Sequence, residues 1–156
     1  CDIVKLVPEE LPLLFGTEDV EEGAAKARRA GATVVAVTLG ESGCYVDSPA
    51  GGIHFAAESV RVVDPTGAGD AFSAGLVARL LAEVAVRDPE DPASSDDLRK
   101  RLAGLKAAQL KAAVSHACHL GALACTTLGA TTGLPPADAS PPARGPAKPP
   151  AKSPGK

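Results

Sequence analysis

The sequence predicts an α/β fold: a mostly parallel sheet flanked by helices. Three observations carry that prediction. Residues 33–38 (Thr-Val-Val-Ala-Val-Thr) form a run β-branched at every position but Ala36, suited to a strand buried on both faces. A second apolar run at residues 2–6 precedes it by the length of one helical hairpin, which makes a βαβ unit with parallel strands. Farther on, Val60, Val62 and Val63 stop at Pro65, a glycine-flanked turn follows, and residues 70–83 hold few strand formers. That order is again strand, tight loop, helix.

Taken in order, residues 2–6 (Asp-Ile-Val-Lys-Leu) are the first strand. Pro8-Glu9-Glu10-Leu11 opens a short helix, because proline is tolerated in a first turn and acids there suit the helix dipole. It ends near Gly16. Thr17 caps the next helix, which is acidic at its start (Glu18, Asp19, Glu21, Glu22) and basic at its end (Lys26, Arg28, Arg29) before Gly31, with Val20, Ala24 and Ala27 as its apolar stripe. After the strand at 33–38, Leu39-Gly40-Glu41-Ser42-Gly43 turns into Cys44-Tyr45-Val46, and Gly51-Gly52 into Ile53-His54-Phe55, two short strands joined by tight turns. Residues 70–83 are apolar nearly all round (Phe72, Leu76, Val77, Leu80, Leu81), which predicts a buried helix. Residues 87–95 read as a loop. Ser95 or Asp96 caps a helical region that runs to about Thr126 and breaks near Gly104. Beyond Leu134 lie eight of the 14 prolines among Ala, Lys and Gly, so residues 134–156 are expected to be a disordered tail and residues 1–133 the folded part.

Composition narrows the class. The 156 residues include no Met, so position 1 is read as internal to a longer chain. No apolar run is long enough to span a bilayer, and no charged segment leads into an apolar one at the start, so a soluble, cytoplasmic protein without membrane partners is expected. The four cysteines (Cys1, Cys44, Cys118, Cys125) are scattered without a CxxC pair, which fits reduced thiols. Cys118, His119 and Cys125 fall at helical spacing, but small side chains on an Ala-rich helix explain them better than metal ligation. A net charge of −3 gives no reason to expect nucleic acid.

The chemistry gathers at Asp64-Pro65-Thr66-Gly67-Ala68-Gly69-Asp70-Ala71-Phe72. A helix that starts near Ala68 leaves its first N–H groups unpaired and carries partial positive charge there, which makes an anion site. Asp70 stands in its first turn, a carboxylate beside the place a phosphate would rest, as phosphoryl transfer to a hydroxyl requires.

This stretch resembles the C-terminal signature of the PfkB/ribokinase family of carbohydrate kinases. The resemblance implies the C-terminal half of a ribokinase-like fold, incomplete at one edge. It implies that Asp70 takes the proton from the sugar hydroxyl and that the Gly67, Ala68 and Gly69 amides stabilise charge on the transferred phosphoryl group. Thr38-Leu39-Gly40-Glu41-Ser42-Gly43 resembles the family's nucleotide loop, with Thr38, Gly40 and Gly43 against ATP, and Cys118 stands at the adenine position. The segment from Lys5 to Gly16 resembles the family's NxxE motif. Glu10 takes the glutamate position, tied to Mg²⁺ through water, and Val7 replaces the Asn. Residues 121–130 resemble the closing helix and loop, so that Asp64, Thr66, Ala124, Thr127 and Gly129 supply oxygens for K⁺. The Thr126-Thr127-Leu128-Gly129-Ala130 pattern, with Leu134-Pro135 after it, is fructokinase-like.

The function implied is ATP-dependent phosphorylation of a sugar, with Mg²⁺ and K⁺ as cofactors. A homodimer, where one forms, would use parts absent from this chain. The segments that contact the sugar and close over it lie in the family's other half, so the chain is expected to be inactive alone. Two other readings stand beside it: a kinase-derived module without catalysis, and an S-adenosylmethionine-dependent methyltransferase, whose strand and glycine loop Val62–Gly69 would also fit.

Overall fold

The computed structural model describes residues 1–84 and 95–135. Strand β1 (Ile3–Leu6) leads through a 3₁₀ turn (Pro8–Glu10) into α1 (Leu11–Phe15) and α2 (Val20–Arg29). Strands β2 (Val34–Thr38), β3 (Cys44–Ser48) and β4 (Gly51–Phe55) follow, then the helices α3 (Ala68–Val84), α4 (Ser95–Ala103) and α5 (Ala107–Ala124). The four strands form one sheet in the order β1-β2-β3-β4.

The βαβ unit is present: β1 and β2 are parallel, with Ile3 opposite Val34 and Leu6 opposite Val37. The sheet as a whole corrects the expectation of a mostly parallel one. β2 pairs antiparallel with β3, and β3 antiparallel with β4. The cause is loop length. Only a short turn at Leu39–Gly43 separates β2 from β3, and two residues separate β3 from β4, too few for the crossover a parallel pairing needs.

Alternation along the strands sorts the core into two layers. Val34 and Ala36 face one side with Cys44, Val46, Phe72, Leu76, Leu80 and Val114, all buried. Val35 and Val37 face the other with Leu6, Leu11, Ala24, Ala27 and Tyr45. Helices therefore cover both faces, which is why β2 has no polar side. On the first face α3 packs along α5.

Local expectations are corrected at three places. Asp19, not Thr17, caps α2: its carboxylate accepts from the Glu22 N–H at 2.7 Å, while the Thr17 hydroxyl accepts from the Asp19 N–H. The β-branched run Val60–Val63 forms no strand. Its Val63 and Asp64 N–H groups donate to the Cys125 carbonyl at the end of α5, so no strand edge lies alongside to pair with. Val62 and Val63 are more than half exposed. The helix after it is buried on one face only; Val77 and Leu81 are exposed, because α5 and the sheet cover a single side. The helical region at 95–124 does break at Gly104, whose N–H closes the last turn of α4 on the Lys100 carbonyl. Of the loop expected at 87–95, residues 87–94 lie outside the described residues and Ser95 is the first residue of α4; of the tail expected at 134–156, all beyond residue 135 lies outside them.

Candidate functional site

The site is built where the C-terminal ends of β1 and β2 meet the N-terminus of α3. A cleft of about 1060 Å³ opens there, and the Thr38–Gly43 turn, residues 57–60, Ala68, Gly69 and the α5 face around Cys118 form its walls.

The turn into α3 depends on Gly67. Its φ of 82° is a conformation that side chains resist, and a Cβ there would stand 2.6 Å from the Ala130 carbonyl oxygen. The turn is braced from within by Asp64, whose carboxylate accepts from the Thr66 N–H and from the Gly129 N–H, each at 3.0 Å. A hydrogen bond from the Thr66 side chain foremost, then those from the Gly129 and Thr66 N–H groups, hold the Asp64 pKa below its ordinary value. The 64–67 turn and the segment after α5 are thereby one unit.

At the helix mouth the Ala71 N–H is the first to bond within the turn, to Gly67 O at 2.9 Å. The Ala68 N–H donates to the Pro65 carbonyl at 3.2 Å, so of the three expected donors it is already engaged. The amides left open among the described residues are those of Gly67, Gly69 and Asp70. Asp70 is exposed and its carboxylate has no hydrogen bond among the described residues; it follows directly on Ala68 and Gly69, which line the cleft, but does not line it itself.

Lys5 is the residue the sequence reading passed over. It sits on β1 on the same side as Ile3, and a methyl added at Gly69 would stand 3.4 Å from its Nζ. Among the described lining residues it is the one cation, set against Glu9, Glu41 and Glu58. A single charged residue inside an otherwise apolar strand was the available signal.

The nucleotide-loop residues Thr38, Gly40 and Gly43 all line the cleft, as does Cys118. The Thr38 hydroxyl donates to Leu6 O at 3.3 Å, which ties the ends of β1 and β2 together. Gly43 (φ 94°) closes the turn where a Cβ would run into the Phe55 carbonyl. Opposite, the Glu58 carboxylate meets His119 Nδ1 at 2.8 Å and holds the 57–60 wall against α5.

Glu10 is exposed; one carboxylate oxygen accepts from the Val7 N–H at 2.8 Å and so caps the first turn. Glu9, not Glu10, lines the cleft. Of the five oxygen donors expected for K⁺, Asp64, Thr66 and Gly129 are joined by hydrogen bonds, while Ala124 is fully buried at the end of α5. Thr127 Oγ1 is a buried hydroxyl without a hydrogen-bond partner. An unpartnered oxygen two residues from Gly129 suits an oxygen-seeking cation, so the donor set fits K⁺.

The chain matches the profile of the pfkB family carbohydrate kinases over residues 1–137. It is 37% identical to the fructokinase of Klebsiella pneumoniae over 136 residues, which is 86% of this chain and 38% of that one. It superposes with TM-score 0.67 and 36% identity on a fructokinase double mutant from Vibrio cholerae solved with fructose, ADP and potassium ion bound, covering 86% of this chain and 38% of the other. On aminoimidazole riboside kinase from Salmonella enterica, complexed with aminoimidazole riboside and an ATP analogue, the TM-score is 0.62 at 31% identity, over 86% of this chain and 39% of that one. The chain thus spans less than two-fifths of the length of these relatives. The methyltransferase reading falls: the family match replaces it, and the strand it needs before the glycine turn is missing at 60–63. Among the described residues no helix is long and apolar enough to cross a membrane.

Proposed function

The chain belongs to the pfkB family of carbohydrate kinases, and from that membership we propose that it forms the phosphoryl-donor part of a cytoplasmic, ATP-dependent sugar kinase, fructokinase-like in its acceptor. One observation carries the reading: the open amides of Gly67, Gly69 and Asp70 and the Lys5 ammonium lie at one helix mouth, beside a free carboxylate. Backbone amides and an ammonium fixed in advance stabilise charge on a phosphoryl group in transfer without reorganising. Asp70 accepts the proton of the attacking sugar hydroxyl, and its exposed position leaves it free to meet a substrate held by other segments.

ATP lies along the cleft, its phosphates at the α3 mouth, its ribose on the Gly40–Gly43 turn and its base against Cys118. Mg²⁺ neutralises phosphate charge when bound; the second carboxylate oxygen of Glu10 makes no hydrogen bond among the described residues and suits contact through water. Thr127, with Asp64, Thr66, Ala124 and Gly129, would hold K⁺ and stiffen the turn that presents the amides.

Among the described residues no segment closes over the cleft, so by itself the chain binds Mg-ATP weakly and phosphorylates nothing. Joined to the segments that complete the kinase, Asp70→Asn is expected to lower kcat by about 10²–10⁴-fold while calorimetry shows Mg-ATP affinity retained. Sugar phosphorylation unchanged by Asp70→Asn would remove Asp70 as the base, and a joined protein that binds Mg-ATP yet phosphorylates no sugar would leave the chain a non-catalytic kinase-derived module.

A further inference from the structure

We propose that Cys44 and Cys118 form a redox pair at the floor of the cleft: a hydroperoxide oxidises Cys118, and Cys44 then closes a disulfide that ties β3 to α5. The two sulfurs come from segments 74 residues apart and lie 3.7 Å from each other, both as free thiols. Their settings differ in a way that assigns roles. Cys118 is half-buried and lines the cleft, so a small oxidant reaches it. Cys44 is 1% exposed, sealed beneath it among Val34, Val46 and Phe72, and is reached only through Cys118.

The sulfur–sulfur contact also sets their acidities apart. The hydrogen bond the two sulfurs share lowers the Cys118 pKa, outweighing the burial and the Glu58 charge that act the other way. The same bond and burial raise Cys44. The thiolate, the reactive form, therefore forms more readily on the accessible member. Cys125, also on the cleft wall, is hydrogen-bonded to Gly121 O at 3.4 Å and has no sulfur neighbour among the described residues; Cys1 is remote and exposed.

The steps balance. The Cys118 thiolate attacks one peroxide oxygen, the O–O bond breaks, and the departing oxygen takes a proton to leave as water or an alcohol. Cys118 is then a sulfenic acid. Its charge is gone, so the hydrogen bond that held the Cys44 proton is released. Cys44 sulfur attacks Cys118 sulfur and expels hydroxide, which leaves as water with the Cys44 proton. Two thiols lose two electrons in all, and one peroxide gains them. A disulfide requires about 2.05 Å between sulfurs, so β3 and α5 must draw together at the point where the proposed nucleotide base would rest. That consequence for ATP rests on the function proposed above; the pair itself does not.

The test treats the folded full chain with one equivalent of hydrogen peroxide, then alkylates and digests it without reductant. Mass spectrometry is expected to find a Cys44–Cys118 linked peptide lighter by two hydrogens, reversed by dithiothreitol. Cys44→Ser is expected to stop at a sulfenic acid that dimedone labels at Cys118, and Cys118→Ser to give neither link nor label. Wild-type protein that circular dichroism shows folded, yet with dimedone on Cys118 and no linked peptide, or with links through Cys1 or Cys125, overturns the proposal. Mg-ATP is expected to slow the linkage. Linkage at an unchanged rate in Mg-ATP supports the pair and instead defeats the placing of the nucleotide base against Cys118.

Discussion

Replacing Thr127 by valine is expected to stabilise the chain in one buffer and to lose that advantage in another, which makes it a sharp test of the cation site. Thr127 Oγ1 is buried and unpartnered, two residues before the Gly129 N–H that donates to Asp64. A buried hydroxyl left without a partner costs about 1–3 kcal/mol, and valine keeps its shape while removing the hydroxyl. With tetramethylammonium as the cation nothing compensates the orphan oxygen. There Thr127→Val is expected to raise the unfolding free energy by about 1 kcal/mol or more. Potassium at ten times its Kd would stabilise the wild-type chain by about 1.4 kcal/mol, and the variant, short of one oxygen donor, by much less. In potassium the two proteins therefore draw level or reverse. Urea unfolding followed by far-UV circular dichroism in the two salts reads both differences. Equal stabilisation of wild type and variant by potassium, or a variant that is already the weaker in tetramethylammonium, would refute the reasoning.

Three further outcomes follow from the same geometry. Lys5→Ala removes the cation at the α3 mouth; a hydrogen bond to a charged group contributes about 1.5–3 kcal/mol, so Mg-ATP affinity measured by calorimetry is expected to fall about tenfold or more with the urea midpoint little changed. Asp64 has a lowered pKa, so its folded form favours the ionised carboxylate. That stabilisation is complete above the ordinary value of 3.8 and is lost as pH falls through the lowered native one. In Asp64→Asn the acid side of the stability–pH curve is expected to be flatter than in wild type, and parallel curves would show that the carboxylate contributes nothing. Leu80, fully buried between the sheet and the helices, is expected to cost about 2–5 kcal/mol on replacement by Ala, while exposed Val77→Ala one turn earlier stays within about 0.5 kcal/mol; equal costs would mean that α3 does not present the face described.

The site was legible where a local rule and a chemical need coincide. Gly67 at positive φ, an aspartate three residues later in a first helical turn, and glycines at 40 and 43 after a β-branched strand are each set by backbone sterics within a few residues. Lys5 was not legible in this way. Its place at the α3 mouth joins residues 5 and 69, and only the crossing of β1 past α3 brings them together. The orphan Thr127 hydroxyl and the Cys44–Cys118 contact are of the same kind. Two local rules also misled. Val60–Val63 has strand propensity, but a strand exists only where another offers its edge. Thr17 is a good capping residue, but Asp19 stands closer to the first turn and its carboxylate takes the N–H.

By itself, then, the sequence determined the element types, the βαβ start, the glycine turn into α3 and the family the chain resembles, because each follows from side-chain periodicity or from dihedrals that few residues adopt. Tertiary structure alone decided which amides at the helix mouth stay open, that a lysine stands beside them and that two distant thiols touch. Those facts depend on the relative placement of whole elements. That placement follows from packing two apolar faces at once, and no window of neighbouring residues contains it.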